Sequence, residues 1–215
     1  MKIVTAFFFF FTIGYQAHAQ SRLVKFITNK GDITVLLYDN TPKHRDMFLQ
    51  SVQSGLYKDA QFNRVIRSFV SQGGELDESI LDRERLHPEL PVRRVAAEID
   101  TSLFHKKGVL GAGRNDNPEK SSYINQLYFV EGKVHTDEQL NAIEKKKGFK
   151  FSEQQRNIYK TTGGTPHLDG DYTVFGEIID GIEVAHGINS VGTDKNDLPL
   201  VPVIFNVEVI PVNIK

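Results

Sequence analysis

Cysteine is absent from all 215 residues, so a disulfide scaffold, thiolate zinc sites, CxxC redox chemistry and cysteine nucleophiles are excluded. A dominant charge is missing as well, because 26 Lys+Arg stand against 27 Asp+Glu for a formal charge of -1. Without a basic field to hold a phosphate backbone, nucleic acid is not expected as a partner. There is no internal repeat, no low-complexity tract and no linker rich in Pro, Gly and Ser. With 40% hydrophobic and 25% charged residues, the composition fits one ordinary packed domain.

The one long apolar run lies at the start, where Lys2 precedes eleven residues from Ile3 to Ile13 that include Phe7 to Phe11. It falls short of the roughly 20 residues that a helix needs to cross a bilayer. Small residues follow at Ala17-His18-Ala19, and the whole reads as a secretory signal peptide over residues 1–19. The mature chain is then expected to run from Gln20 to Lys215 as a single domain, free in the periplasm or beyond, with no membrane insertion after cleavage. An exported chain without disulfides suits a bacterial periplasm.

Strand signals dominate the remainder. Leu23–Thr28 and Ile33–Tyr38 are β-branched and aromatic runs joined by an N-K-G-D hairpin connection. Thr41-Pro42 then predicts a helix with Thr41 as N-cap and Pro42 in its first turn, carrying Phe48, Leu49 and Val52 on one face up to Ser54-Gly55. Further strands are expected over 61–66, 69–72, 108–113, 124–130, 172–178 and 201–210. Many short strands with glycine-marked turns and few helices leave a barrel and a sandwich equally open. Residues 133–160 read as an inserted helical hairpin, with capping boxes at Thr136/Gln139 and Ser152/Gln155. Its Glu144-Lys145-Lys146-Lys147 run reads as a solvated face. The stretch 75–94 is expected to be a long surface loop.

Common catalytic signatures fail one by one: no HExxH, no GxSxG, no Walker loop and no calcium-loop spacing. Gly111-Ala112-Gly113 lacks a third glycine and a following helix, so it reads as close packing. Asp169 and Asp171 around Gly170 read as a turn. His44, His87, His105, His135, His167 and His186 fall at no metal-ligand spacing, so neither a metal nor a cofactor is expected.

One constellation does carry a signal. Phe62-Asn63-Arg64-Val65-Ile66 is followed at once by Phe69-Val70-Ser71-Gln72-Gly73-Gly74, a segment that resembles the F-H-R-V-I-x-x-F-M-x-Q-G-G signature of cyclophilin-type peptidyl-prolyl isomerases. Thr41-Pro42 with its helix, Phe104 to Leu110, Asn125-Gln126-Leu127-Tyr128-Phe129, and His167 to Gly176 resemble further family motifs in the right order. Taken singly, Arg64 reads as a surface charge, and Phe69, Tyr128 and Leu168 as core. Joint occurrence in order, across nearly the whole chain after residue 22, carries the resemblance.

The resemblance implies an eight-stranded antiparallel β-barrel capped by helices, with a groove on its outer wall that binds proline-containing peptides and unfolded or partly folded clients. The chain is expected to act as a monomer. Arg64 would be catalytic. Phe69, Val70, Tyr128 and Leu168 would form the proline slot, and Gln72 would bind substrate backbone and hold Arg64. Gly113, Arg114 and Gln126 would border the groove, with His167 and Tyr172 on its rim. The chemistry agrees: an X-Pro bond rotates over a barrier of about 18–20 kcal/mol. A fixed guanidinium that favours the twisted amide over either planar form lowers it without nucleophile or metal.

Departures from the family pattern are specific. Asn63 stands where the family has His, Val70 for Met, His167 for Trp and Tyr172 for His. Affinity for cyclosporin is therefore not carried over. Arg114, in a frequent Asn position, adds a cation beside the groove that is expected to favour acidic residues flanking the proline. The insertion ends directly before His167 and is expected to shape one rim of the groove. A non-catalytic chaperone that grips proline segments is the competing reading.

Overall fold

The computed structural model describes residues 22–211; the expected signal peptide lies outside them. Eight strands close on themselves: β1 (Leu23–Thr28), β2 (Gly31–Leu37), β3 (Ala60–Ile66), β4 (Val70–Gly74), β5 (Val109–Ala112), β6 (Gln126–Val130), β7 (Val174–Asp180) and β8 (Val203–Val209). Their order around the wall is β1-β2-β7-β5-β6-β4-β3-β8, with every neighbouring pair antiparallel. The choice that sequence periodicity left open is settled as a closed barrel.

Side chains alternate across a strand, so each strand has an inward and an outward set. On β6, Leu127 and Phe129 point into the barrel, and Tyr128 and Val130 join a separate cluster on its outside. Inside, Phe26 packs against Phe48, Phe129 and Phe205 with ring centroids 6.1, 5.0 and 5.6 Å away. A Cβ on Gly73 would lie 2.9 Å from the Phe205 ring, so glycine there is demanded by packing and not by a turn.

Two helices close the barrel ends. Helix α1 (Pro42–Gln53) buries Phe48 and Leu49 as its periodicity predicts, but the expected cap differs. The Thr41 side chain makes no capping bond, and its hydroxyl is buried without a partner. Glu98, distant in sequence, takes over: its carboxylate accepts from the Lys43 and His44 amides at 3.0 and 2.9 Å. An anion at the positive end of the helix satisfies two orphan donors at once. His44 is fully buried below it, with Nδ1 donating to Glu98 at 2.7 Å and Nε2 3.0 Å from the Ser122 hydroxyl. Helix α5 (Ile182–Asn189) was not expected, because it is short and opens on Gly181 rather than a Ser/Thr cap.

The 75–94 stretch is not all loop, since α2 (Asp77–Leu86) occupies its first half. This helix buries only Ile80, so it has no apolar stripe to betray it. Acidic Asp77 and Glu78 in its first turn and basic Arg83 and Arg85 in its last complement the helix dipole instead. The inserted hairpin forms as read: α3 (Asp137–Lys147) and α4 (Glu153–Thr161), each with its capping box. Its charged run is not all solvated, however. Glu144 is buried and accepts from Lys150 Nζ (2.8 Å), the Phe151 amide and an Arg156 nitrogen (both 3.0 Å). Those donors, Lys150 first, hold its carboxyl below the ordinary range.

These buried groups make acid destabilising. Burial pushes the His44 imidazole below its usual value and outweighs the pull of Glu98. The unfolded chain therefore takes up that proton first, and stability is lost as pH falls from about 6.5 through the folded value. Against its own burial, hydrogen bonds from His44 and the helix amides hold the Glu98 carboxyl low. That adds a loss of the same sign as pH falls from about 4.3. Thermal midpoints should drop between pH 8 and pH 5.5, and less so in His44→Gln. An equal drop in both proteins would contradict the assignment to His44.

Candidate active site

The outward faces of β3, β4 and β6 meet the segment 168–172 in a groove of about 930 Å3. Its floor is apolar. Val70 and Tyr128 are buried there, and Phe69, Leu168 and Tyr172 pack on them half-buried. Tyr128 is the most constrained of these side chains. A Cβ on Gly111 would sit 2.2 Å from its ring, so that glycine exists to let the tyrosine lie flat on β5. Tyr172 meets the same ring edge-on at 6.2 Å and 82°.

Arg64 reaches the groove because β3 is irregular. Phe62 pairs with Gly73 and Arg64 with Gln72, so one extra residue, Asn63, is accommodated between consecutive pairs. In a regular strand Phe62 and Arg64 would share a face, and both would point into the barrel. The bulge at Asn63 keeps Phe62 inside and turns Arg64 out. Asn63 ties the bulge down by donating from Nδ2 to the Gly74 carbonyl at 2.5 Å. Beneath the β3–β4 turn, Asn189 of α5 accepts from the Ser68 amide at 2.9 Å and donates to the Ile66 carbonyl and the Ser71 hydroxyl, both at 3.1 Å.

On the far side of Arg64, the segment 194–198 docks on β3 through a bond from the Val65 amide to the Asp197 carbonyl at 2.8 Å. The Asp197 carboxylate lies 3.9 Å from Arg64 Nε. With both side chains over 40% exposed, that pair steers the guanidinium but adds little stability. Asn196 and Leu198 line this end of the groove, and Leu76, Asp77 and Glu78 line it further along. Sequence reasoning missed all five. Nothing local in residues 194–198 says which wall that segment leans on.

Ten of the eleven sequence-derived site residues border this one groove: Arg64, Phe69, Val70, Gln72, Gly113, Arg114, Gln126, Tyr128, Leu168 and Tyr172. His167 does not. It stacks on Phe69 at 5.4 Å and 21°, and burial first, with His105, His135 and Lys147 nearby, holds its pKa below the usual histidine value. Arg114 lies beside the groove as expected, with its guanidinium engaged by the protein's own backbone. Its guanidinium donates to the carbonyls of Asp171, Asn115 and Asn117 at 2.7, 2.6 and 3.2 Å and lies 4.7 Å over the Tyr172 ring. With those bonds it organises the rim. Gln126 is likewise engaged, donating to the Glu75 carbonyl at 2.9 Å and to Asp77 at 2.6 Å.

Asp169 also exceeds its reading as a turn residue. Buried, it accepts from the His105 amide at 2.8 Å, from His105 Nδ1 at 2.6 Å and from the Tyr159 hydroxyl at 2.5 Å.

Comparison with known proteins agrees with this architecture. The profile of the family described as cyclophilin type peptidyl-prolyl cis-trans isomerase/CLD matches residues 23–209. The chain belongs to that family and is an enzyme of the peptidyl-prolyl cis-trans isomerase class. A Staphylococcus saprophyticus protein named as a peptidyl-prolyl cis-trans isomerase is 29% identical over 174 residues, covering 80% of this chain and 83% of its own. A Staphylococcus aureus protein of the same name is 29% identical over 179 residues, covering 83% and 86%. Among solved structures, a cyclophilin type isomerase of Cryptosporidium parvum, crystallised in the presence of the dipeptide Ala-Pro, superposes with a TM-score of 0.62 at 22% identity. That superposition covers 88% of this chain and 99% of the other. A cyclophilin from Hirschia baltica does so with 0.55 at 19%, covering 88% and 74%. At such identities the two structures speak to the fold alone.

Proposed function

We propose that this chain accelerates cis-trans isomerisation of X-Pro bonds in exported proteins and assists their folding, and that the groove over Tyr128 is where it does so. The observation that carries the reading is a single one: a guanidinium turned outward by a bulge, beside a buried apolar floor, in a groove wide enough for a peptide. Membership of the cyclophilin type peptidyl-prolyl cis-trans isomerase family supports a proline peptide as the occupant.

Isomerisation needs neither a nucleophile nor a proton carrier, because only conjugation across the C–N bond resists rotation. Phe69, Val70, Tyr128 and Leu168 take the proline ring, whose burial holds one end of the bond still. Gln72, paired with Arg64 across the β3–β4 ladder, binds the substrate backbone next to it. Arg64 donates to the twisted amide at the prolyl nitrogen or the adjoining carbonyl. It favours the twisted state because charge localises there as conjugation is lost. Gly113 and Gln126 border the path of the flanking residues, and the rim built by Arg114 and Tyr172 bounds it.

The protein works as a monomer outside the cytoplasm, on extended or unfolded clients that reach the groove. Support for its location comes from the N-terminal run of residues 1–19.

Removing the guanidinium in Arg64→Ala should lower kcat/KM on an X-Pro test peptide by about 100-fold or more, with the circular dichroism spectrum unchanged. Full turnover in a folded Arg64→Ala protein would defeat the assignment. Expressed with its natural N-terminus in a Gram-negative host, the protein should be recovered from the periplasmic fraction beginning near Gln20. Recovery from the cytoplasm with Met1 intact would refute the location.

A further inference from the structure

The inserted hairpin is joined to the groove floor by an unbroken chain of buried polar contacts. Tyr159 of α4 is fully buried, its ring packed edge-on against Phe104 and Phe151 at 5.4 Å each. Its hydroxyl donates to one oxygen of Asp169 at 2.5 Å. The other oxygen takes His105 Nδ1–H at 2.6 Å. With that ring nitrogen donating, Nε2 carries the lone pair and accepts from the Tyr128 hydroxyl at 2.8 Å. The His105 and Tyr128 rings also stack at 6.1 Å and 14°.

Tyr128 is the same side chain that floors the groove, and Gly111 leaves it no room to retreat. Its remaining freedom is outward, into the slot itself. Besides its contacts with the Tyr172 and His105 rings, the bond to His105 opposes that movement, because a buried hydroxyl deprived of its acceptor turns toward water. His105 can accept only while Asp169 fixes its other nitrogen, and Asp169 keeps both oxygens engaged only while Tyr159 donates to one of them.

We propose that Tyr159 is a positioning residue of the isomerase, acting through Asp169 and His105 to hold the Tyr128 ring flat under the substrate proline. On this account the hairpin over residues 133–160 is a built support of the groove and not an ornament of the surface. Further anchoring comes from Lys147 of α3, which donates to the Asp169 carbonyl at 3.1 Å and pairs with Asp171. The inference rests on the reading of the groove as the active site.

Four proteins test it: wild type, Tyr159→Phe, Tyr128→Phe and the double variant, each assayed on an X-Pro peptide. Tyr159→Phe keeps the ring and removes one oxygen. It should lower kcat/KM by about 5- to 10-fold, the worth of one buried hydrogen bond. In the Tyr128→Phe background the same change should cost nothing further, because the hydroxyl it acts on is gone. An equal penalty in both backgrounds, or none in either, overturns the proposal. If Tyr159→Phe does not fold, Asp169→Asn is read in the same cycle with the same criteria. An Arg64→Ala control separates the two claims. Turnover surviving that change overturns the reading of the groove, whereas loss there with an unchanged Tyr159→Phe overturns this inference alone.

Discussion

A closed barrel has only an inside and an outside, and a strand in its wall assigns residues to them strictly by turns. Arg64 stands two residues after Phe62, which fills the interior beside Phe205 and Phe129. Strict alternation would bury a guanidinium in that aromatic core, at a cost of several kcal/mol for the lost hydration. The extra residue at Asn63 resets the count, and the site follows from that reset. Gln72 then pairs with Arg64, Val70 comes to the outer face beside Tyr128, and the docked Asp197 meets the guanidinium from the other side.

The groove is otherwise held by polar groups remote from it. Asn189 of α5 pins the turn between β3 and β4. Arg114 gathers three loop carbonyls under Tyr172. Asp169 joins the insertion to the floor. Each is a buried or half-buried group with its bonding capacity engaged, the condition under which such networks fix a conformation and do not merely fail to destabilise it. An isomerase of this kind gains from rigidity, since a floor that yields would stabilise planar and twisted amides alike.

Much of this was legible in the chain, and what was not has a common cause. Strand positions could be read from β-branched runs, and the hairpin helices from their capping boxes, because both signals are local. The site residues could be read from motif order. Barrel closure could not, because pairing β1 with β8 joins residues nearly the length of the chain apart. Helix α2 was read as loop because its order rests on dipole-matched charges with one buried side chain. Thr41 was read as a cap because local pattern cannot see Glu98 arriving from elsewhere. Glu144 was read as solvated for the same reason, and the backbone partners of Arg114 were not foreseen: a charged side chain announces its charge in the sequence but not its partners.

The central claim is that one outward guanidinium and the apolar floor beside it act together on a proline amide. Two-dimensional NMR of protein labelled at arginine Nε tests it most directly, with a substoichiometric X-Pro peptide in the same tube. The account predicts exchange between cis and trans peptide signals together with a shifted Arg64 Nε–H resonance. Exchange with the Arg64 resonance unmoved and the largest shifts on another face of the barrel would contradict it.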